Sequence, residues 1–254
     1  MCLALIALNA SARYPLLIIG NRDEAHARDT ANLHWWQEPP GIIAGRDLIA
    51  GGTWLGISRS GQFGLVTNYR EQPSQVAAKS RGQLLGSFLT GSNDPLAYAD
   101  KVTYEDYAGF NLLIGQFNKR CAYLTNRSDE RTRTLGSGIH ALSNALLDTP
   151  WPKLVRVREA VADWLETDHA DPEALFAPLR DTRQSAEPDT PDVDLPEQAL
   201  RALTAPFIVS PEYGTRSTSL VLVEPDGAAQ FLERRFAPDG SQSGQSEEHF
   251  RIEM

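Results

Sequence analysis

Cysteine is scarce in this chain: 254 residues hold two, Cys2 and Cys121. That is too few for a disulfide framework, so a reducing, cytoplasmic setting is expected. A basic surplus is also missing, with 24 Lys and Arg against 33 Asp and Glu and a formal net charge of −9. A nucleic-acid backbone needs clustered cations, so no nucleic-acid partner is expected. No basic amphipathic stretch offers a membrane-surface helix, and no segment approaches the ~18 apolar residues of a membrane span. The opening MCLALIALNASA is apolar and ends in Ala-Ser-Ala, but it has no positive n-region and a short apolar run. A cleaved signal is therefore not expected.

Several chemical signatures are absent too. The sequence has no G-x-G-x-x-G, P-loop, G-x-S-x-G or C-x-x-C-H motif, which removes the local signals for dinucleotides, nucleotide phosphates, serine hydrolysis and covalent haem. The five histidines (His26, His34, His140, His169 and His249) have no zinc spacing. A single axial haem histidine leaves no spacing pattern, so that option stays open.

What is present is 41% hydrophobic and 22% charged residues, an ordinary globular balance. Residues 3–8 and 16–20 read as strands of a hairpin, and 42–44, 53–58 and 64–67 supply more strand. Residues 81–89 and 94–102 carry helical spacing, the latter with Asp94-Pro95 as cap and first residue. GFNLLIGQFNKRCAYLTNR reads as a hairpin about Asn118-Lys119, and STSLVLVEPDGAAQFLERRF as another through Pro225-Asp226-Gly227. In residues 152–167, Leu154, Val157, Val161, Trp164 and Leu165 form one apolar stripe of a helix. Residues 180–197, rich in Asp, Pro and Thr, read as an exposed loop. Hairpins without helical crossovers predict antiparallel sheets with helices outside them, an α+β chain forming a single domain over residues 1–254.

Cys2 carries the chemical interest. With Met1 removed, its thiol and a free α-amine of pKa ~8 share one residue, and the amine can serve the thiol as general base. Equally, Cys2 reads as a small apolar start to a buried strand. Asn21-Arg22-Asp23-Glu24 stands where the second strand is expected to end, and hairpin register returns it to Cys2. There Arg22 favours the thiolate, and Asp23 holds the ammonium or orients the arginine; a solvated turn with an internal ion pair is the plainer reading. Asn68, Asn111 and Asn144 stand at strand ends, where a side-chain amide can donate to an oxyanion or simply cap a turn. Arg216 is placed to clamp a carboxylate or phosphate, or to lie at the surface. GGTWLGI at residues 51–57 is a tight turn into a strand.

Together, Met-Cys-Leu, the Asn-Arg-Asp-Glu tetrad, GGTWLGI, VTNYRE, LSNALLDTPWPKL and TRSTSLVLV resemble, in order and over nearly the whole chain, the Transport and Golgi organization 2 (NRDE) family. That family is similar to the N-terminal-nucleophile hydrolases. The resemblance implies a four-layer αββα sandwich of antiparallel sheets, with Cys2 as nucleophile, Arg22 and Asp23 beside it and Asn68 as oxyanion donor. It also implies that Asn144 orients the α-amine and that Arg216 completes the site. The implied activity is hydrolysis of a non-peptide amide or thioester with no cofactor required. The family's association with haem trafficking and with acyl-coenzyme A and lipid metabolism implies a non-catalytic alternative, a binder of haem, with His140 as candidate ligand, or of an acyl thioester or lipid. The sequence carries no signal for an oligomeric state.

Overall fold

The computed structural model describes residues 2–71, 77–91, 94–167, 171–185 and 197–253, with Cys2 described by its backbone alone. Among these residues the strands are β1 (Cys2–Leu8), β2 (Leu16–Ala25), β3 (Thr30–Trp35), β4 (Ile42–Asp47), β5 (Leu55–Ser58), β6 (Gln62–Asn68) and β7 (Phe110–Gln116). They continue with β8 (Cys121–Thr125), β9 (Thr132–Leu135), β10 (Gly138–Leu142), β11 (Tyr213–Val223), β12 (Ala228–Phe236) and β13 (Gln242–Arg251). The helices are α1 (Arg81–Thr90), α2 (Pro95–Ala99), α3 (Pro152–Glu166), α4 (Phe176–Leu179) and α5 (Glu197–Ala202).

The chain opens one sheet, leaves it, and comes back. After the β1–β2 hairpin it builds a complete antiparallel meander, β3 through β9 in sequence order. It then returns with β10 beside β1 and adds β11, β12 and β13 on the other side of β2, giving the order β10-β1-β2-β11-β12-β13. The turn residues carry the positive φ that tight turns need, at Asn118 (58°) between β7 and β8 and at Gly227 (83°) between β11 and β12.

Side-chain alternation sorts the core into three slabs. Ala4, Ile6, Ile18 and Val221 face Ile57, Phe63, Leu65 and Leu113 across the gap between the sheets. Leu3, Leu5, Leu17 and Ile19 face the other way, onto Leu154, Val157 and Val161 of α3 and Phe176 of α4. Leu84, Leu85 and Phe88 of α1 cover the outer face of the second sheet, against Val66, Leu112 and Ile114. The result is a four-layer αββα sandwich, as the family resemblance implied.

Three sequence expectations change. The Asn-Arg-Asp-Glu tetrad is strand, not turn, because β11 pairs with β2 over its whole length, from Tyr213 opposite Ala25 to Val223 opposite Leu16. The second helix is shorter than 94–102, although Asp94 caps it as expected, its carboxylate accepting from the Leu96 N–H at 2.9 Å. Strands β3, β9, β10 and β13 had no strand signal. β13 reads QSGQSEEHFR and buries little of itself, its place being set by pairing with β12 and by buried Ile252 just beyond it. Of the expected loop at 180–197, residues 181–185 have no regular structure and 186–196 lie outside the described residues.

Candidate active site

The β1–β2 ladder starts with Cys2 opposite Arg22. Arg22 faces the gap between the sheets, where its guanidinium lies 4.4 Å from the centre of the Trp54 ring. Its ion-pair partner among the described residues is Glu24, at 3.8 Å, so the sequence-level option of an Arg22–Asp23 bidentate pair is not what forms. Asp23 is one residue on and points the opposite way, into the helix layer. It is buried, and its carboxylate accepts from the Thr215 hydroxyl at 2.6 Å. Burial raises its pKa, opposed by the Thr215 bond and by the charges of Lys153 and Arg22. Asn21 is structural: it donates to the carbonyls of Leu179 and Pro206 and accepts from Thr218, tying β2 to the chain on either side of α5.

Asn68 and Asn144 come together at the same end of the sandwich. Leu142 is paired with Ala4, so two residues beyond it Asn144 reaches the level of Cys2. Its amide donates to the Asn68 carbonyl at 2.7 Å, and the Arg70 N–H returns to the Asn144 carbonyl at 2.8 Å. The Asn68 side-chain amide has no hydrogen-bond partner among the described residues and lines a cleft of about 780 Å³. Asn111, the third strand-end asparagine, is buried and occupied: it accepts from Tyr123 at 2.7 Å and donates to the Ala145 carbonyl at 3.0 Å. It supports the loop that carries Asn144.

The cleft is two-sided. Ala199, Ala202, Leu203, Ile208 and Val209 give it an apolar wall, and Arg70 and Arg81 give the other wall two cations. Burial pulls the Arg70 pKa down to about 10. Glu71 is held below the usual carboxylate range against the opposing push of burial, by Arg127 bonds of 2.5 and 2.8 Å and by the Gly109 N–H. A neighbouring cavity of about 250 Å³ shares Glu24, Asn68 and Arg81 with the cleft and leads to Arg22 and Asp23.

Two candidates lie elsewhere. Arg216, at the β-bulge of β11, does not line the large cleft; it faces a separate cavity with Arg22. His140 sits opposite Ile6, four residues along β1 from Cys2, which is ~13 Å at strand rise. Its Nδ1 lies 3.0 Å from Asp148 and its Nε2 3.3 Å from the Gly136 carbonyl. Both nitrogens thus face oxygens, the Nε2 contact being the longer and more exposed, and no described histidine lines the large cleft.

Sequence reasoning missed Lys153, Trp54, Tyr213 and Thr215. Lys153 is buried in the first turn of α3, with Nζ donating to the Leu203 carbonyl at 2.7 Å. Its signal was available: it stands four residues before Val157, on the apolar stripe. Tyr213 donates to the Asp23 carbonyl at 2.9 Å. Trp54, inside GGTWLGI, is where a glycine turn meets Arg22. Among the described residues no three His, Cys, Asp or Glu side chains converge as a metal site.

Two antiparallel sheets packed between helices, together with the structural likeness that follows, show the N-terminal-nucleophile hydrolase fold. The C2A mutant of a conjugated bile acid hydrolase from Clostridium perfringens superposes with a TM-score of 0.55 at 9% identity, covering 99% of this chain and 92% of that one. At that identity the likeness shows the fold alone. The chain belongs to the Transport and Golgi organisation 2 family, whose sequence model matches residues 1–238. It is 34% identical over 238 residues to the Transport and Golgi organization 2 homolog of Mus musculus, covering 87% of this chain and 86% of the relative. The Drosophila melanogaster relative is 26% identical over 243 residues, with the same coverage.

Proposed function

We propose that this protein is a Cys2-dependent hydrolase of a non-peptide amide or thioester, acting once Met1 is removed. The observation that carries it is the meeting, at one end of the sandwich, of the Cys2–Arg22 pair with an uncommitted Asn68 amide on an open cleft. Cys2 and Arg22 are opposed backbone positions of one ladder, and in the proposed reaction the Arg22 cation favours the thiolate.

In the proposed reaction the α-amine of Cys2 takes the thiol proton and the sulfur attacks the carbonyl carbon. The oxyanion is held by the Asn68 Nδ2–H. Collapse breaks the bond to the leaving amine or thiol, which takes the proton from the ammonium. Water, deprotonated by the same amine, then attacks the acyl-enzyme thioester and frees the carboxylate and Cys2. Asn144 positions Asn68 through their 2.7 Å bond, and no cofactor enters.

The two-sided wall of the cleft supports a second reading, non-catalytic capture of an acyl-coenzyme A or other lipid, with Arg70 and Arg81 on the anionic head. Intact mass of untagged protein, followed by a screen of amides and thioesters with wild type and Cys2→Ala, separates the two. A mass short of one methionine with turnover lost in Cys2→Ala is the expected result. Retained Met1, or turnover that survives Cys2→Ala, overturns hydrolysis. A Soret titration on the same samples tests haem directly; saturable binding lost in His140→Ala would support the histidine-ligand reading.

A further inference from the structure

The separate cavity at Arg216, of about 240 Å³ and lined in part by the Arg22–Trp54 stack, also includes Arg235, Ser217 and Glu233. It shares no lining residue with the 780 Å³ cleft. Three guanidiniums and one carboxylate in so small a volume leave an excess of positive charge.

The partners of these groups show where that charge is unspent. The Arg22 side chain is 6% exposed, yet among the described residues its guanidinium makes no hydrogen bond; Glu24 is 3.8 Å away, and the Trp54 ring offers only its face. A guanidinium has five N–H donors, and a buried one normally spends them. Arg216 uses Nη1 on the carbonyls of Arg28 and, at 3.4 Å, Ala25; its Nη2 and Nε have no hydrogen-bond partner among the described residues. Burial, and then the charge of Arg22 close by, lower the Arg216 pKa, against the charges of Glu24 and Asp29, which raise it. Arg235 is better satisfied, giving Nη1 to the Ser246 hydroxyl at 2.7 Å and Nη2 to the Gln245 carbonyl at 3.1 Å. Glu233 is engaged elsewhere: its Oε1 accepts from the Leu33 N–H at 3.0 Å and from Arg235 at 3.4 Å. Burial raises its pKa, against the Leu33 bond and the charges of Arg235 and Arg22, which lower it. The Ser217 hydroxyl, opposite Arg22 on β11, adds a donor to the same wall.

Two like charges held close in a shielded niche repel, and an anion between them turns repulsion into two charge-assisted contacts. We infer that this niche is a binding site for a small oxyanion, a phosphate or a carboxylate, held between Arg22 and Arg216. The niche shares Arg22 and Trp54 with the 250 Å³ cavity next to Asn68, but anion binding there does not require turnover at Cys2 and is measured separately from it.

Calorimetric titration of the full chain with inorganic phosphate, and separately with acetate, at constant ionic strength tests it. One saturable site is expected for at least one anion, weakened about tenfold or more in Arg216→Gln. The tighter of the two anions identifies the head group. Arg22→Gln, which removes the other proposed anion contact, carries the same expectation if Arg216→Gln fails to fold. Arg70→Gln, on the large cleft, is expected to bind the anion as wild type does. No saturable heat with either anion, unchanged affinity in both niche variants, or a tenfold loss in Arg70→Gln would each overturn the assignment.

Discussion

Asn144 donates its side-chain amide to the main-chain carbonyl of Asn68 at 2.7 Å, across 76 residues of sequence. The two asparagines therefore have different work. One holds a loop to a strand end; the other leaves its own amide facing the cleft.

That division predicts opposite signatures. Asn144→Ala strands the Asn68 carbonyl and is expected to destabilise the fold by about 1–3 kcal/mol. Asn68→Ala breaks no side-chain bond among the described residues, so its midpoint of thermal unfolding should stay within a few degrees of wild type, while any Cys2-dependent kcat falls ~100-fold or more. Thermal melts and kinetics on the two variants check this. A stable Asn144→Ala, or an Asn68→Ala with full turnover, would contradict it.

Lys153 is a buried cation whose ammonium meets the Leu203 carbonyl at 2.7 Å and whose charge favours ionised Asp23. Lys153→Met keeps the apolar stem but strands that carbonyl and removes the counter-charge. A loss of about 2–3 kcal/mol is expected by urea denaturation. A midpoint equal to wild type would show that the ammonium is dispensable.

His140 and Asp148 give a pH-dependent term. The Asp148 bond raises the His140 pKa, against burial, which lowers it. Stability from this raised histidine is complete below its unfolded pKa of ~6.5 and lost as pH climbs through the folded value. Asp148 titrates in the opposite sense: burial raises its pKa, but bonds from His140 and the Ala141 N–H and the charge of Arg158 leave it lowered, so its contribution holds above ~4 and fades in acid. The advantage of wild type over His140→Gln should thus be greater at pH 5.5 than at pH 8.5. Melting temperatures at the two values decide; an equal advantage at both would refute the pairing.

Two glycines should respond oppositely to alanine. A Cβ on Gly52 would lie 2.3 Å from the carbonyl carbon of Gly82, backbone against backbone, where neither can yield cheaply. Gly52→Ala is expected to cost ~2 kcal/mol or more as overpacking. Gly86, inside α1, has nothing within 4 Å of its Cβ position, so Gly86→Ala should stabilise by about 0.5–1 kcal/mol. Chemical denaturation of both settles the contrast.

Local pattern was enough for much of this architecture. Alternation in LALIAL and LLIIG, the stripe on residues 152–167 and the turns at Asn118 and Gly227 each act within a few residues, so they survive in the linear chain. The ordered motifs likewise carried Cys2, Arg22 and Asn68 into the candidate site. Pairing between distant segments was not readable. β10 and β13 have no strand signal because β1 and β12 supply their hydrogen bonds, and the tetrad extends as strand because β11 lies beside it. The same non-local geometry decided which way the charged groups face. Successive strand residues alternate, so Arg22 entered the gap between the sheets and Asp23 the helix layer, while the bulge at Arg216 turned that arginine toward Arg22 and away from the large cleft. Residue types and local periodicity are properties of the chain; which unpaired charges end up sharing a cavity depends on registers that only packing sets.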